Sequence, residues 1–148
     1  MSPGIEIHHN RALVAEIDVH LRACNASFVP PLSERVDIST FAQKIAARAE
    51  RFEAWANQRL AGLVAAYCND PQRSVAFLTN VSVIPSYQGQ DIASSLLQAC
   101  IGHVRRSGFE RIELEVDLLN LAATRLYHKH GFTIGSANLH SQILQLAV

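Results

Sequence analysis

Residues 81–97 read VSVIPSYQGQDIASSLL, and the fold turns on how they are parsed. A β-pattern runs into Pro85, which cannot donate to a strand ladder and ends the strand. Ile92, Leu96 and Leu97 then recur at helical spacing, and Cys100, Ile101 and Val104 extend the stripe to about residue 106. Between strand and helix lies a tight loop, Gln88-Gly89-Gln90-Asp91. The first N–H groups of a helix lack intrahelical partners and the helix dipole is positive there, so the arrangement suits a phosphate. Asp91 is the unusual residue, because a carboxylate is a poor lining for an anion site.

Outward from this stretch the period alternates between strand and helix. Upstream, SVAFLTNVSV places Val75, Phe77, Val81 and Val83 on one face at period two. RFEAW and LAGLVAAYC flank ANQR as a hairpin, and NDPQR makes the next turn. Helices are expected over 11–24, with Leu13, Val14, Ile17 and Leu21 inward, and over 38–49, with Ile38, Phe41, Ala42 and Ile45 inward. Pro30 and Pro31 keep the intervening NASFVPPLSERVD extended, and a short strand is expected at 5–8. Downstream, RIELEV alternates strictly, with Ile112, Leu114 and Val116 opposite Glu113 and Glu115. NLAATRLYHKHGF is a short helix stopped by Gly131, and QILQLAV is a last strand. The order β-α-α-β-β-β-α-β-α-β describes one α+β domain over residues 1–148, with helices flanking a mixed sheet.

Composition narrows the class. The 148 residues are 49% hydrophobic and 18% charged, and thirteen basic residues balance thirteen acidic ones. That balance supplies no basic field for a nucleic-acid partner. Cys24, Cys68 and Cys100 are odd in number, far apart and set among apolar residues, which reads as reduced thiols. No leader-like N-terminus and no membrane-length apolar segment are seen, so a soluble cytoplasmic protein is expected, with no membrane partner. The pairs His8-His9 and His128-Lys129-His130 lack the spacing and partners of a metal site, so no metal is expected. Ser94 and Ser95 have no His/Asp pattern beside them.

Three segments in fixed order, NVSVIPSYQG, QGQDIASSLL and NLAATRLYHKHGF, together resemble the GNAT superfamily of N-acetyltransferases over roughly residues 50–135. Gln88-Gly89-Gln90-Asp91-Ile92-Ala93 corresponds to the family's phosphate-loop pattern. Asn120, Ala123, Leu126, Tyr127, Gly131 and Phe132 fill the later motif without a gap. The resemblance implies a mostly antiparallel central sheet in a GNAT-like arrangement, with acetyl-CoA as acetyl donor. It implies that the backbone at Val81 and Val83 pairs with the pantetheine arm, on a strand splayed from its neighbour. Gln88, Gly89, Gln90, Asp91, Ile92, Ala93 and Ser94 would cradle the pyrophosphate. Tyr127 would protonate the departing thiolate, and Asn120 would position the pantetheine arm or the helix carrying Tyr127. A homodimer is also compatible with the resemblance.

The family pattern has Gly where this chain has Asp91. Asp tolerates left-handed backbone better than most residues. Its carboxylate would either cap the helix or repel phosphate, so weakened rather than abolished CoA binding is expected. Candidates for a general base are Glu113, Glu115, Asp117, Glu53 and, through a water, Asn80. The acceptor surface is expected from the first two helices and FVPPLSERVD. Phe28, Pro30, Pro31, Leu32 and Trp55 would form an apolar wall there, and Glu34 and Asp37 would attract a cation. A small-molecule primary amine is the expected acceptor. A protein N-terminal or lysine amine, and a non-catalytic ligand-binding module, are the alternatives.

Overall fold

The computed structural model describes residues 4–148. In chain order the elements are β1 (Ile5–His9), α1 (Val14–Cys24), α2 (Ile38–Arg48), β2 (Ala49–Ala56), β3 (Arg59–Tyr67) and β4 (Val75–Val83). They continue with α3 (Ile92–Arg106), β5 (Arg111–Asp117), α4 (Leu121–Lys129), β6 (Thr133–Ala137) and β7 (Ser141–Ala147). The strands form one sheet in the order β1-β2-β3-β4-β5-β7-β6. Neighbours are antiparallel except β4 and β5. The expected α+β class with a mostly antiparallel sheet is what the chain adopts.

Local chemistry sets the boundaries. The β2–β3 hairpin turns on Asn57 and Gln58, with φ of 51° and 61°, the positive values that a two-residue turn needs to match strand twist. Asp37 caps α2 by accepting from the Thr40 N–H at 3.0 Å. Asn120 caps α4 by accepting from the Ala123 N–H at 3.2 Å.

The two faces of β3 explain its almost unbroken apolar run. Val64 and Ala66 join the core under α3, with Leu96, Leu97, Cys100 and Val104. Leu63 and Ala65 join the opposite core, with Ile17 and Leu21 of α1 and Ala42 and Ile45 of α2. A strand buried on both faces has no polar side to alternate with.

Four differences from the sequence reading have physical causes. Opposite β3, Ala65 faces Asn80 and Ala66 faces Leu78, so Thr79 is an extra residue in β4. Such a bulge reverses the side-chain alternation. Ala76 and Leu78 precede it in the α3 core, Val83 follows it there, and Phe77 is 38% exposed on the other side. Val75, Phe77, Val81 and Val83 therefore do not share one face. In α1, Leu13 and Val14 are exposed, and the buried stripe is Ile17, His20, Leu21 and Cys24. The segment around Pro30 and Pro31 contains two short 3-10 turns rather than being extended throughout. Strand β6, TIGSA, escapes notice because all five residues are exposed on the sheet edge and carry no apolar alternation.

All three cysteines are free thiols, two of them buried and Cys68 half-buried. Among the described residues, no helix is long and apolar enough to cross a membrane.

Candidate active site

The sheet opens where its one parallel pair separates. β4 and β5 pair over Val75–Phe77 and Arg111–Glu113, after which residues 78–83 have no strand on that side. Side chains from the turn after α1, from β4, from β5 and from α4 line the gap. One cavity of about 440 Å³ lies between Cys24, Phe28, Val81, Val83, Gln88, Ala93, Asn120 and Leu126. It shares Phe28, Val81, Asn120 and Leu126 with a narrow pocket of about 100 Å³ that also touches Asn80, Glu115 and Tyr127. That pocket shares Arg35, Leu78, Thr79, Glu115 and Asp117 with a third space of about 340 Å³ beside Pro30, Leu32 and Phe41. Together they form one trough along the split.

At one end stands the loop before α3. Gly89 has φ of +82° with open space where a side chain would be. Asp91 sits at the cap position with φ 59° and ψ 20°, and its side chain makes no capping hydrogen bond. The carboxylate does not fold back on the helix; what the position requires is left-handed backbone, which Asp tolerates. Helical bonding begins with the Ser95 N–H to the Asp91 carbonyl at 3.0 Å. Among the described residues, the N–H groups of 89–94 donate to no protein acceptor, which leaves a cluster of free donors at the positive helix end. The Gln88 side chain donates to the Val83 carbonyl at 3.1 Å and locks the strand end to the loop. The Ser94 hydroxyl lies 2.8 Å from His130 Nε2, tying α3 to the end of α4. Burial and the neighbouring Lys129 lower the His130 pKa.

Tyr127 occupies the narrow middle. It is 8% exposed and packs edge-on against Phe132, with ring centroids 5.8 Å apart. Burial raises its phenol above the ordinary value, so it keeps its proton throughout the neutral range. Asn120 borders both the wide and the narrow spaces while capping the helix that carries Tyr127.

Under the trough lies a buried polar cluster that sequence reasoning missed. His20 Nδ1 is 2.8 Å from the Leu60 carbonyl, which can only accept, so Nδ1 bears the proton. Burial pushes the His20 pKa down to about 4. Its bare Nε2 therefore accepts from the Ser82 hydroxyl at 2.8 Å, and Ser82 accepts from Asn80 Nδ2 at 2.9 Å. Asn80 Nδ2 also donates to the Leu63 carbonyl at 3.2 Å, which fixes the amide orientation. Asn80 Oδ1 is then buried with no partner among the described residues. A buried orphan acceptor is costly, and it is a point of attachment for a group entering the pocket. In the sequence, nothing links His20 to Ser82, 62 residues further on.

The structure also sorts the candidate bases. Glu113 is held by Arg111 at 2.6 Å. Glu53 is fully buried and accepts from the Arg11 and Ala12 N–H groups and Trp55 Nε1, so it builds the β1–α1 corner, away from the trough. Glu115 and Asp117 border both the third space and the pocket with Tyr127; Glu115 accepts from the Ser141 hydroxyl at 2.6 Å and Asp117 from the Leu119 N–H at 2.8 Å. The expected acceptor wall is corrected in part. Phe28, Pro30 and Leu32 line the trough, whereas Trp55 is buried beside Glu53. Glu34 and Asp37 border a separate surface hollow, and Asp37 is engaged as a helix cap.

A split β4–β5 pair, a bulge in β4 and free N–H groups at the start of α3 define a fold class, and the sequence confirms it. Residues 14–132 match the model of the acetyltransferase (GNAT) family, and the chain belongs to that family. Among solved structures, the ribosomal-protein-S18-alanine N-acetyltransferase from Escherichia coli superposes with a TM-score of 0.78 at 22% identity, covering 97% of this chain and 94% of that one. The Salmonella typhimurium protein yncA, solved with its cofactor acetyl-CoA, gives a TM-score of 0.76 at 21% identity, covering 97% and 94%. Both are likenesses of fold. A mycothiol acetyltransferase from Streptosporangium roseum is 45% identical over 53 residues, which are 36% of this chain and 16% of that protein. The match thus spans about a sixth of that relative's length.

Proposed function

We propose that this protein transfers an acetyl group from acetyl-CoA to the primary amine of a small molecule, by direct attack and within a single domain spanning residues 1–148. The observation that carries the reading is the trough itself: free helix-end donors at one end, a protonated buried tyrosine in the middle, and carboxylates at the other. Acetyl-CoA supplies an activated thioester, and the residues present fit it. Among the described residues, the N–H groups of 89–94 have no protein acceptor, matching a pyrophosphate. The open edge of β4 at Val81 and Val83 presents backbone to an extended amide chain, as an added strand would use it. Asn120 holds α4 so that Tyr127 faces this channel.

Glu115 or Asp117, the two carboxylates that border the same pocket as Tyr127, takes the proton of the incoming ammonium, directly or through a water bound at Asn80 Oδ1. As the amine nitrogen bonds to the carbonyl carbon and the carbon–sulfur bond breaks, Tyr127 gives its phenolic proton to the sulfur, and the surplus proton on the nitrogen returns through water to the phenolate, leaving a neutral amide, a free thiol and a protonated Tyr127. Holding both reactants along one split strand supplies most of the advantage. The acceptor space of about 340 Å³ is of small-molecule size, with Pro30, Leu32 and Phe41 as its apolar side and Glu115 and Asp117 as its cation-attracting side.

The test is a panel of amines with acetyl-CoA, read by thiol release. Tyr127→Phe should lower kcat about 100-fold or more with CoA affinity within about two-fold of wild type. An unchanged kcat would remove Tyr127 from the chemistry. Turnover of peptide amines but of no small amine would overturn the acceptor class.

A further inference from the structure

A second cluster of chemically capable side chains lies away from the trough, where the edge of the sheet meets the C-terminal half of α3. His9 closes β1, Glu50 lies near the start of β2, and His103 is in the last turns of α3. Their ligand atoms all lie within 4.8 Å of one another. His9 Nε2 is 3.1 Å from Glu50 Oε2, and His103 Nε2 is 3.6 Å from Glu50 Oε1. Donors bound at about 2.0–2.1 Å around a tetrahedral ion are about 3.3–3.4 Å apart, so the two measured separations bracket that value.

The surroundings are those of an oriented site. Asn10 donates to Glu50 Oε2 at 2.5 Å while its own Oδ1 accepts from the Arg51 N–H at 2.7 Å, which fixes the carboxylate from behind. The His9 ring stacks on Phe52 with centroids 4.8 Å apart, and His103 meets the same ring edge-on at 5.6 Å. One phenyl group thus sets both imidazoles. A space of about 400 Å³ bordered by Glu50, His103 and Cys68 opens beside them and gives access and room for a water ligand. Arg73, a cation on the far wall, is engaged with the Ser107 carbonyl.

We propose that His9, Glu50 and His103 form a binding site for one zinc-class divalent ion. Two imidazoles and a carboxylate select zinc, cobalt, nickel or copper over magnesium and calcium, which take oxygen ligands. The ion would join the edge strand β1 and β2 to α3, and its role is structural, since none of the three residues borders the trough. No motif spacing announces the site: the three ligands are 41 and 53 residues apart in sequence, and antiparallel pairing sets His9 opposite Phe52.

The experiment uses tag-free, EDTA-treated full-length protein. Zinc chloride is titrated by calorimetry, cobalt chloride is followed by visible absorption, and thermal melts are recorded with and without zinc. The expected result is one equivalent bound, a tetrahedral cobalt spectrum and a melting temperature higher by roughly 5–10 °C at a hundred-fold excess over Kd. His103→Ala and His9→Ala should each weaken zinc at least ten-fold, and His8→Ala, whose ring contacts Glu6 instead, should leave it unchanged. Two histidine variants on different elements keep the test open if one fails to fold. Absence of binding at 1 mM zinc overturns the site, and so does affinity that survives both His9→Ala and His103→Ala.

Discussion

Gly62 in β3 is the seat of the helix that carries the phosphate loop, and replacing it with alanine measures how closely the two are coupled. A Cβ at Gly62 would lie 2.7 Å from Ile92 Cγ2, 3.2 Å from Leu96 Cδ1 and 3.4 Å from Ala54 Cβ. The shortest of these is well inside van der Waals contact. Ile92 and Leu96 are 2% and 0% exposed, and a β-branched side chain in a helix has little rotamer freedom. The clash is therefore relieved by lifting the first turn of α3 off the sheet. Overpacking of this kind costs about 1–3 kcal/mol, which for a domain of this size lowers the melting temperature by roughly 3–10 °C. The lifted turn bears the free N–H groups, so coenzyme A affinity should fall about 3- to 10-fold, equivalent to about 0.7–1.4 kcal/mol. Scanning calorimetry reads the first effect and isothermal titration with coenzyme A the second. An unchanged melting temperature would refute the packing argument. A lower melting temperature with unchanged affinity would refute the coupling between seat and loop.

Other perturbations separate the remaining roles. Asp91→Asn keeps a residue that tolerates left-handed backbone and removes the charge, so it should tighten coenzyme A several-fold at low salt, with the gain shrinking as salt rises; Asp91→Gly should do the same, and no gain in either variant would place the carboxylate away from the phosphates. His20 is pushed down to about 4 in the folded chain from an ordinary value of 6.5. The unfolded chain therefore binds the extra proton between these values, and stability is full above about pH 6.5 and falls by about 3 kcal/mol toward pH 4. Denaturant melts across that range should show the decline, and His20→Gln should flatten it; an equal slope in both proteins would refute the assignment.

The legible parts of the sequence were those where one rule acts alone. RIELEV buries Ile112, Leu114 and Val116 as its alternation requires, and α3 runs over Ile92–Arg106 with all six expected stripe residues buried. A family motif joins Tyr127, Asn120 and the loop at 88–94 in the sequence, and the fold brings Tyr127, Asn120, Gln88 and Ala93 to the same trough. What stayed hidden depends on pairing between distant segments. Thr79 is an ordinary strand residue until β3 is laid beside it, and His20 is an oddly placed polar residue until Ser82 arrives from β4. Trp55 and Asp37 looked available because composition does not show that one is buried and the other is already capping a helix.

These hidden features act together at the trough. Before the bulge, Leu78 packs under α3; after it, Asn80 and Ser82 face α1 and meet His20. Were Thr79 paired in a regular ladder instead of bulged, Asn80 would fall opposite Val64, on the same face as Leu78 under α3, and its free Oδ1 would turn away from Tyr127. The parallel contact with β5 stops at Phe77, two residues before the bulge, so the added twist of the bulge coincides with the start of the split. One inserted residue therefore opens the sheet for an extended ligand and selects which side chains line the opening, while the ladder to β3 continues on both sides of it.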